Sequence, residues 1–200
     1  MQDKRSTELK KIKNEVANLR RSPIFKYREE NGYLPVIGEG NHFAKVVFVG
    51  EAPGKNEAES GRPFVGSAGR VLNELLDSAG LERKKVYITN IVKDRPPSNR
   101  DPRPEELEVY APFLDKQINI IKPKVIAGLG RFSSTYLMQR FGLADKVDTI
   151  SKMHGKMFEV EANYGPIILV PLFHPAAALY SPDKKEPMKK DFKLIADILN

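Results

Sequence analysis

Residues Val46 to Gly69 read VVFVGEAPGKNEAESGRPFVGSAG. Val46 to Val49 are β-branched or aromatic throughout, the composition of a strand buried on both faces, and Gly50 ends the run. Glu51-Ala52-Pro53-Gly54 then places an acid, a rigid proline and flanking glycines at the strand's carboxyl end, where an open α/β sheet presents its ligand loop. A second glycine-bounded segment, Gly61-Arg62-Pro63-Phe64-Val65-Gly66, holds one aromatic ring among turn-forming residues. A ring held there can stack on a flat ligand; the plain alternative is a turn and a core phenylalanine.

Working downstream, Val71, Leu72, Leu75, Leu76 and Ala79 share one helical face, and Gly80 is a stop signal. Val86 to Ile91 reads as a second strand. Lys93 to Pro102 carries too many prolines for regular structure and reads as a rigid basic loop. Leu107, Leu114, Ile118 and Ile121 continue a helix opened near Pro104-Glu105-Glu106, whose acids complement its dipole. Lys124 to Leu129 reads as a third strand. Gly130-Arg131-Phe132-Ser133-Ser134-Thr135 then turns into a helix with backbone donors, hydroxyls and a positive charge suited to a phosphate. Ile167 to Leu172 reads as a fourth strand delivering Phe173-His174-Pro175, and Met188, Phe192, Ile195 and Leu199 mark a last helix.

Upstream, Leu9, Ile12, Val16 and Leu19 give an amphipathic helix from about Ser6 to Arg20, while Ser22 to His42 has no period and reads as a packed connection. Strands alternating with helices predict an α/β fold: three layers, α/β/α, around a central four-stranded parallel sheet. Residues 1–200 are expected to form one domain, with residues 1–22 contributing an amino-terminal helix packed on it. Function should gather along the rim formed by the strands' carboxyl ends, at Glu51, Asn90, Lys93, Gly130-Arg131 and His174.

The chain has 33 Lys and Arg against 26 Asp and Glu, a formal charge of +7 that favours a polyanionic partner only weakly. The absence of cysteine excludes disulfides, thiolate metal sites and a cysteine nucleophile. His42, His154 and His174 are far apart in sequence, so no histidine-rich metal site is expected. No apolar run approaches the roughly 20 residues of a membrane span, and no signal peptide is read, so a cytoplasmic location is expected.

The rim offers an acid, an amide, a ring and a histidine. Asn90 presents a donor and an acceptor on one flat group, able to pair with a pyrimidine edge; its plain alternative is a turn cap. His174, held extended by Pro175, could donate to an oxygen gaining charge during bond cleavage. No GxSxG occurs at a strand end, so a serine triad finds no support.

Gly50-Glu51-Ala52-Pro53-Gly54, Gly61 to Gly69, Thr89-Asn90-Ile91-Val92-Lys93-Asp94-Arg95-Pro96-Pro97-Ser98-Asn99-Arg100 and His174-Pro175-Ala176-Ala177 together resemble the family 4 uracil-DNA glycosylases, in the same order, over about Gly38 to Leu199. The resemblance implies an enzyme that flips deoxyuridine out of DNA and hydrolyses its N-glycosidic bond, leaving an abasic site. It implies that Phe64 stacks on the uracil, Asn90 pairs with its edge, the backbone at Glu51 and Ala52 contacts the base, His174 stabilises the departing anion and Glu57 excludes thymine. Glu51 would supply negative charge beside the sugar or position the water. The basic loop with Lys93, Arg95, Asn99 and Arg100, the turn with Gly130, Arg131 and Ser133, and the Lys152 to Lys156 segment would contact phosphates. Leu179 and Tyr180 are both candidates for the wedge that fills the vacated stack, because Ala178 replaces the family's bulky aliphatic residue and no arginine stands near Tyr180.

Family 4 enzymes typically hold a four-cysteine iron-sulfur cluster, and the matching positions here are Asn14, Ala17, Asp94 and Tyr110. None supplies a thiolate, so the cluster is expected to be absent and no cofactor is expected. The expected partner is uracil-containing DNA, single- or double-stranded, met by a monomer. Two other readings stay open: a protein that binds uracil or damaged DNA without turnover, and a glycosylase shifted towards hypoxanthine or xanthine.

Overall fold

The apolar run Val46–Gly50 forms a strand buried along its whole length in the computed structural model, which describes residues 3–199. Residues 1, 2 and 200 of the expected domain lie outside the described residues. In chain order the strands are β1 (Glu39–Gly40), β2 (Val46–Gly50), β3 (Tyr87–Asn90), β4 (Val125–Leu129), β5 (Phe158–Ala162) and β6 (Gly165–Leu172). The helices are α1 (Lys4–Ala17), α2 (Phe25–Glu30), α3 (Lys55–Ser60), α4 (Ser67–Ser78), α5 (Pro104–Ile121), α6 (Arg131–Arg140), α7 (Ile150–Met153), α8 (Ala177–Tyr180) and α9 (Lys185–Leu199).

The sheet order is β1-β3-β2-β4-β6-β5. The four expected parallel strands, β3, β2, β4 and β6, are its centre. The sheet as a whole is mixed, because β1 pairs antiparallel with β3 and β5 pairs antiparallel with β6. Neither edge strand was expected, nor was α2, which lies within the aperiodic segment from Ser22 to His42.

Alternate residues of the central strands face two cores. Val47, Val49 and Ile126 join Leu9, Ile12, Val16, Leu114 and Ile118 from α1 and α5. Phe48, Ile88 and Val170 face Leu72, Leu75 and Leu76 of α4 and Met188, Phe192 and Ile195 of α9. The Phe48 and Phe192 rings stack with centroids 5.3 Å apart. Sheet positions two apart thus serve the same helical layer, the periodicity that makes three layers from one sheet.

The carboxyl end of α1 is held by charge as well as by packing. Arg28 of α2 donates from Nη1 to the Val16 carbonyl at 3.1 Å, which also accepts from the Leu19 N–H at 3.2 Å, and from Nη2 to the Ala17 carbonyl at the helix end. The same guanidinium reaches both Asp94 oxygens, at 3.3 and 3.2 Å, and Tyr110 donates to Asp94 Oδ2. The Ser22 and Tyr110 hydroxyls lie 2.8 Å apart. Arg28, Asp94 and Tyr110 are all buried. Asp94 and Tyr110 are two of the four positions matched to cluster ligands, and both are committed to this network. With Asn14 and Ala17 at the other two, the donor set does not fit an iron-sulfur cluster.

Candidate active site

The chain leaves β2 towards β3 on one side and β4 towards β6 on the other, so a crevice opens at the carboxyl ends of β2 and β4, the usual ligand position of such sheets. A cavity of about 380 Å³ lies on this rim, lined among others by Glu51, Ala52, Glu57, Phe64, Asn90 and His174. Asn99, Arg100 and Pro96 of the proline-rich loop complete one wall.

Asn90 ends β3 in register with Gly50. A side chain at position 50 would displace the Asn90 carboxamide and the Phe64 ring, because its Cβ would lie 2.3 Å from Asn90 Oδ1 and 2.8 Å from Phe64 Cζ. Beyond the last pair, Ile91 N–H donates to Gly50 O and Val92 N–H to Glu51 O, both at 3.0 Å, so the two strand ends are laced together where they carry the site. Asn90 is 2% exposed. Its main-chain carbonyl accepts from Lys93, and its carboxamide has no hydrogen-bond partner among the described residues and faces the cavity.

Phe64 adopts φ +50°, unusual for a non-glycine residue. Two features hold it there. Glu57 Oε1 accepts from the Val65 and Gly66 N–H groups, each at 2.9 Å. Gly69, opening α4, lets the helix approach so closely that a Cβ would lie 1.9 Å from Phe64 O. The ring faces His174 with centroids 5.8 Å apart and planes tilted by 34°.

His174 follows β6, and its Nδ1 lies 3.2 Å from the Ala176 N–H. A main-chain donor there makes Nδ1 the acceptor and leaves the proton on Nε2. Burial pushes the His174 pKa down, with the Glu57 charge opposing. Gly130, at φ +101°, packs against this residue, since a Cβ would lie 3.0 Å from His174 Cβ. Glu51 has its pKa pushed up to about 7 by burial and then by the Asp101 charge, with Arg131 acting in the opposite sense. A neutral imidazole donor and a carboxylate poised near neutrality therefore share one cavity.

Two expected phosphate contacts are corrected. Lys93 is fully buried, its ammonium enclosed by acceptors of the protein interior, and it does not reach the surface. Ser133 is likewise buried, and its hydroxyl donates to the Leu129 carbonyl at 2.7 Å, one turn back.

The remaining residues expected at DNA lie around the mouth of the cavity or beyond it. Arg95 donates to Asn99 Oδ1 at 2.7 Å and to the Tyr33 hydroxyl at 2.6 Å, and Arg100 pairs with Glu106. Arg131 is exposed, 3.8 Å from Asp101. Lys152 pairs with Asp148, while the segment after it is tied to α9 by His154 Nδ1 and Asp191 Oδ2, 2.8 Å apart. Leu179 and Tyr180 project from α8, 45% and 86% exposed. Sequence reasoning missed Gly69, Ala176 and Asp101 as residues that shape the site. Only Gly69 carried a local signal, a glycine at the start of a helix.

The family model described as the uracil DNA glycosylase superfamily matches residues 37–197, and the chain belongs to that superfamily. Within it, the chain is 44% identical to the type-4 uracil-DNA glycosylase of Sulfurisphaera tokodaii over 191 residues, 95% of this chain and 84% of the relative. The type-4 enzyme of Archaeoglobus fulgidus is 44% identical over 187 residues, 94% of this chain and 91% of the relative. That of Saccharolobus solfataricus is 40% identical over 190 residues, 94% and 85%. Among the described residues no helix is long and apolar enough to cross a membrane, and no group of acids or histidines could hold a metal ion.

Proposed function

We propose that this chain is a uracil-DNA glycosylase, hydrolysing the bond between a flipped deoxyuridine base and its sugar to leave uracil and an abasic site. The observation that carries this reading is the Asn90 carboxamide, unpartnered within the described residues and facing a cavity that the Phe64 ring and His174 also line. The carboxamide has no partner within the described residues and opens onto the cavity, so its donor and acceptor are free to pair with a ligand that enters. A pyrimidine edge with one acceptor and one N–H pairs with both, while the Phe64 ring stacks on its face. His174 Nε2–H then donates to the oxygen that gains charge as the base leaves, and Glu51, when ionised, faces the positive charge developing on the sugar and orients water. A single donor aimed at such an oxyanion contributes on the order of 10²–10³ in rate.

Family membership, the absence of cysteine and the buried Arg28-Asp94-Tyr110 network support a glycosylase that works without an iron-sulfur cluster. The DNA, single- or double-stranded, would be met by a monomer along Arg95, Asn99, Arg100, Arg131 and Lys152. Tyr180, the more exposed of the two α8 candidates, is the better placed to enter the base stack.

The test is cleavage of a labelled oligonucleotide with one uracil, developed in alkali, for the wild type, Asn90→Ala and His174→Ala. Uracil release by the wild type, with single-turnover rates reduced by about 10²-fold or more in both variants, is expected. Undiminished rates in the variants would remove these residues from the chemistry. Binding of the uracil strand without base release would instead make the cavity a recognition site.

A further inference from the structure

Lys93 lies in the fully buried layer beneath β3 and α5, and the roles assigned above leave it unused. Its Nζ donates to the Asn90 carbonyl at 2.6 Å, to Gln117 Oε1 at 2.6 Å and to Thr89 Oγ1 at 2.9 Å. Three acceptors match the three N–H groups of an ammonium, and none of them is charged. The two side-chain acceptors are themselves fixed. Thr89 Oγ1 donates to the Ile37 carbonyl at 2.7 Å, and Gln117 Nε2 donates to that carbonyl at 2.8 Å and to the Tyr87 hydroxyl at 3.1 Å. Burial pushes the Lys93 pKa down to about 7, so the arrangement is held against a desolvation penalty.

A core that needed only packing would be better served by an apolar side chain of similar length. What the lysine adds is a rigid hold on one atom, the main-chain oxygen of the residue whose carboxamide faces the cavity. We propose that Lys93 is a positioning residue for Asn90, bracing its peptide against Gln117 of α5 so that the carboxamide points at the base edge. The inference rests on the glycosylase reading above. It also explains why a lysine stands at the mouth of a basic loop yet turns inward.

The test is a double-mutant cycle in single-turnover uracil release, with DNA affinity and thermal melting measured alongside. Lys93→Met keeps the length of the side chain and removes its donors. Loss of aim by a fraction of an ångström at the pairing group should lower the rate on the order of 10²-fold, with affinity for the uracil strand within about twofold of wild type. In an Asn90→Ala background, where there is no carboxamide to aim, the same change should lower the residual rate less than about threefold. A lysine that merely supports the fold would reduce the rate by the same factor in both backgrounds, and that result overturns the proposal, as does a Lys93→Met rate equal to wild type. Where Lys93→Met fails to fold, Gln117→Leu keeps the lysine and removes its far anchor, together with the bonds to the Ile37 carbonyl and the Tyr87 hydroxyl, and the same comparison with and without Asn90→Ala decides. Absence of uracil release by the wild type would instead overturn the glycosylase reading itself.

Discussion

Replacing Arg28 by methionine should destabilise the protein without touching the cavity. The guanidinium covers the Val16 and Ala17 carbonyls and both oxygens of Asp94, and the Asp94 side chain is fully buried. Methionine fills much of the volume but leaves a carboxylate whose remaining partner is the Tyr110 hydroxyl. Breaking a buried ion pair from one side costs about 3–5 kcal/mol. For a chain of this size each kcal/mol lowers the melting temperature by about 2–4 °C, so a fall of roughly 10 °C is expected. Differential scanning calorimetry at pH 7 measures it. The double variant Arg28→Met/Asp94→Leu removes the stranded charge and should recover about half of the loss or more. Neither change should alter the uracil-release rate at 25 °C, because the network does not line the cavity. A fall of less than about 2 °C in the single variant, or a double variant no better than the single, would show that packing alone holds α1.

Glu51 titrates at about 7, so if its carboxylate serves the reaction the rate should rise with pH through that value, and Glu51→Gln should lower the plateau and abolish the rise. Its folded pKa lies above the ordinary carboxylate value of 4.5, so wild-type stability should decline as pH climbs from 5 to 8, and the glutamine variant should flatten that decline in melting temperature. Gly69→Ala drives a methyl into Phe64 O and should reduce uracil release on the order of 10²-fold by displacing the ring, seen as a loss in kcat rather than in DNA binding. Glu57→Ala frees the Val65 and Gly66 N–H groups and should weaken uracil release about tenfold or more, whereas Glu57→Gln, which keeps an acceptor, should retain most of it; equal losses would assign Glu57 to its charge alone.

The central strands were legible because each is a short apolar run closed by glycine, proline or a polar rim residue, and burial on both faces demands that composition. The edges were missed. Glu39–Gly40 is too short to carry a pattern, whereas Phe158–Ala162 does alternate, with Phe158, Val160 and Ala162 packed on the core and Glu159 and Glu161 exposed; five residues of a half-buried edge strand are a weaker signal than the continuous apolar runs of the centre. At the rim, strand ends identified Glu51, Asn90 and His174 because position at a sheet's carboxyl end follows from the strands themselves. Lys93 was misplaced for the opposite reason. A lysine in a proline-rich loop reads as solvated, and what draws it inward is Gln117, remote in sequence on α5.

The three groups best placed to meet a base share one design. Asn90 is gripped at its main-chain oxygen, the Phe64 turn by a carboxylate on the two N–H groups after it, and His174 by a main-chain donor at Nδ1. In each case the anchoring atom differs from the group offered to the cavity. A fixed backbone limits the directions its side chain can take, so the cavity's polar groups need little reorganisation when a base arrives. Substituting an anchor should therefore change the rate of bond cleavage while affinity, supplied largely by phosphate contacts outside the cavity, stays nearly constant. Substituting an exposed cation such as Arg131 should do the reverse, weakening binding uniformly across sequences and reducing the slope of affinity against salt by about one unit.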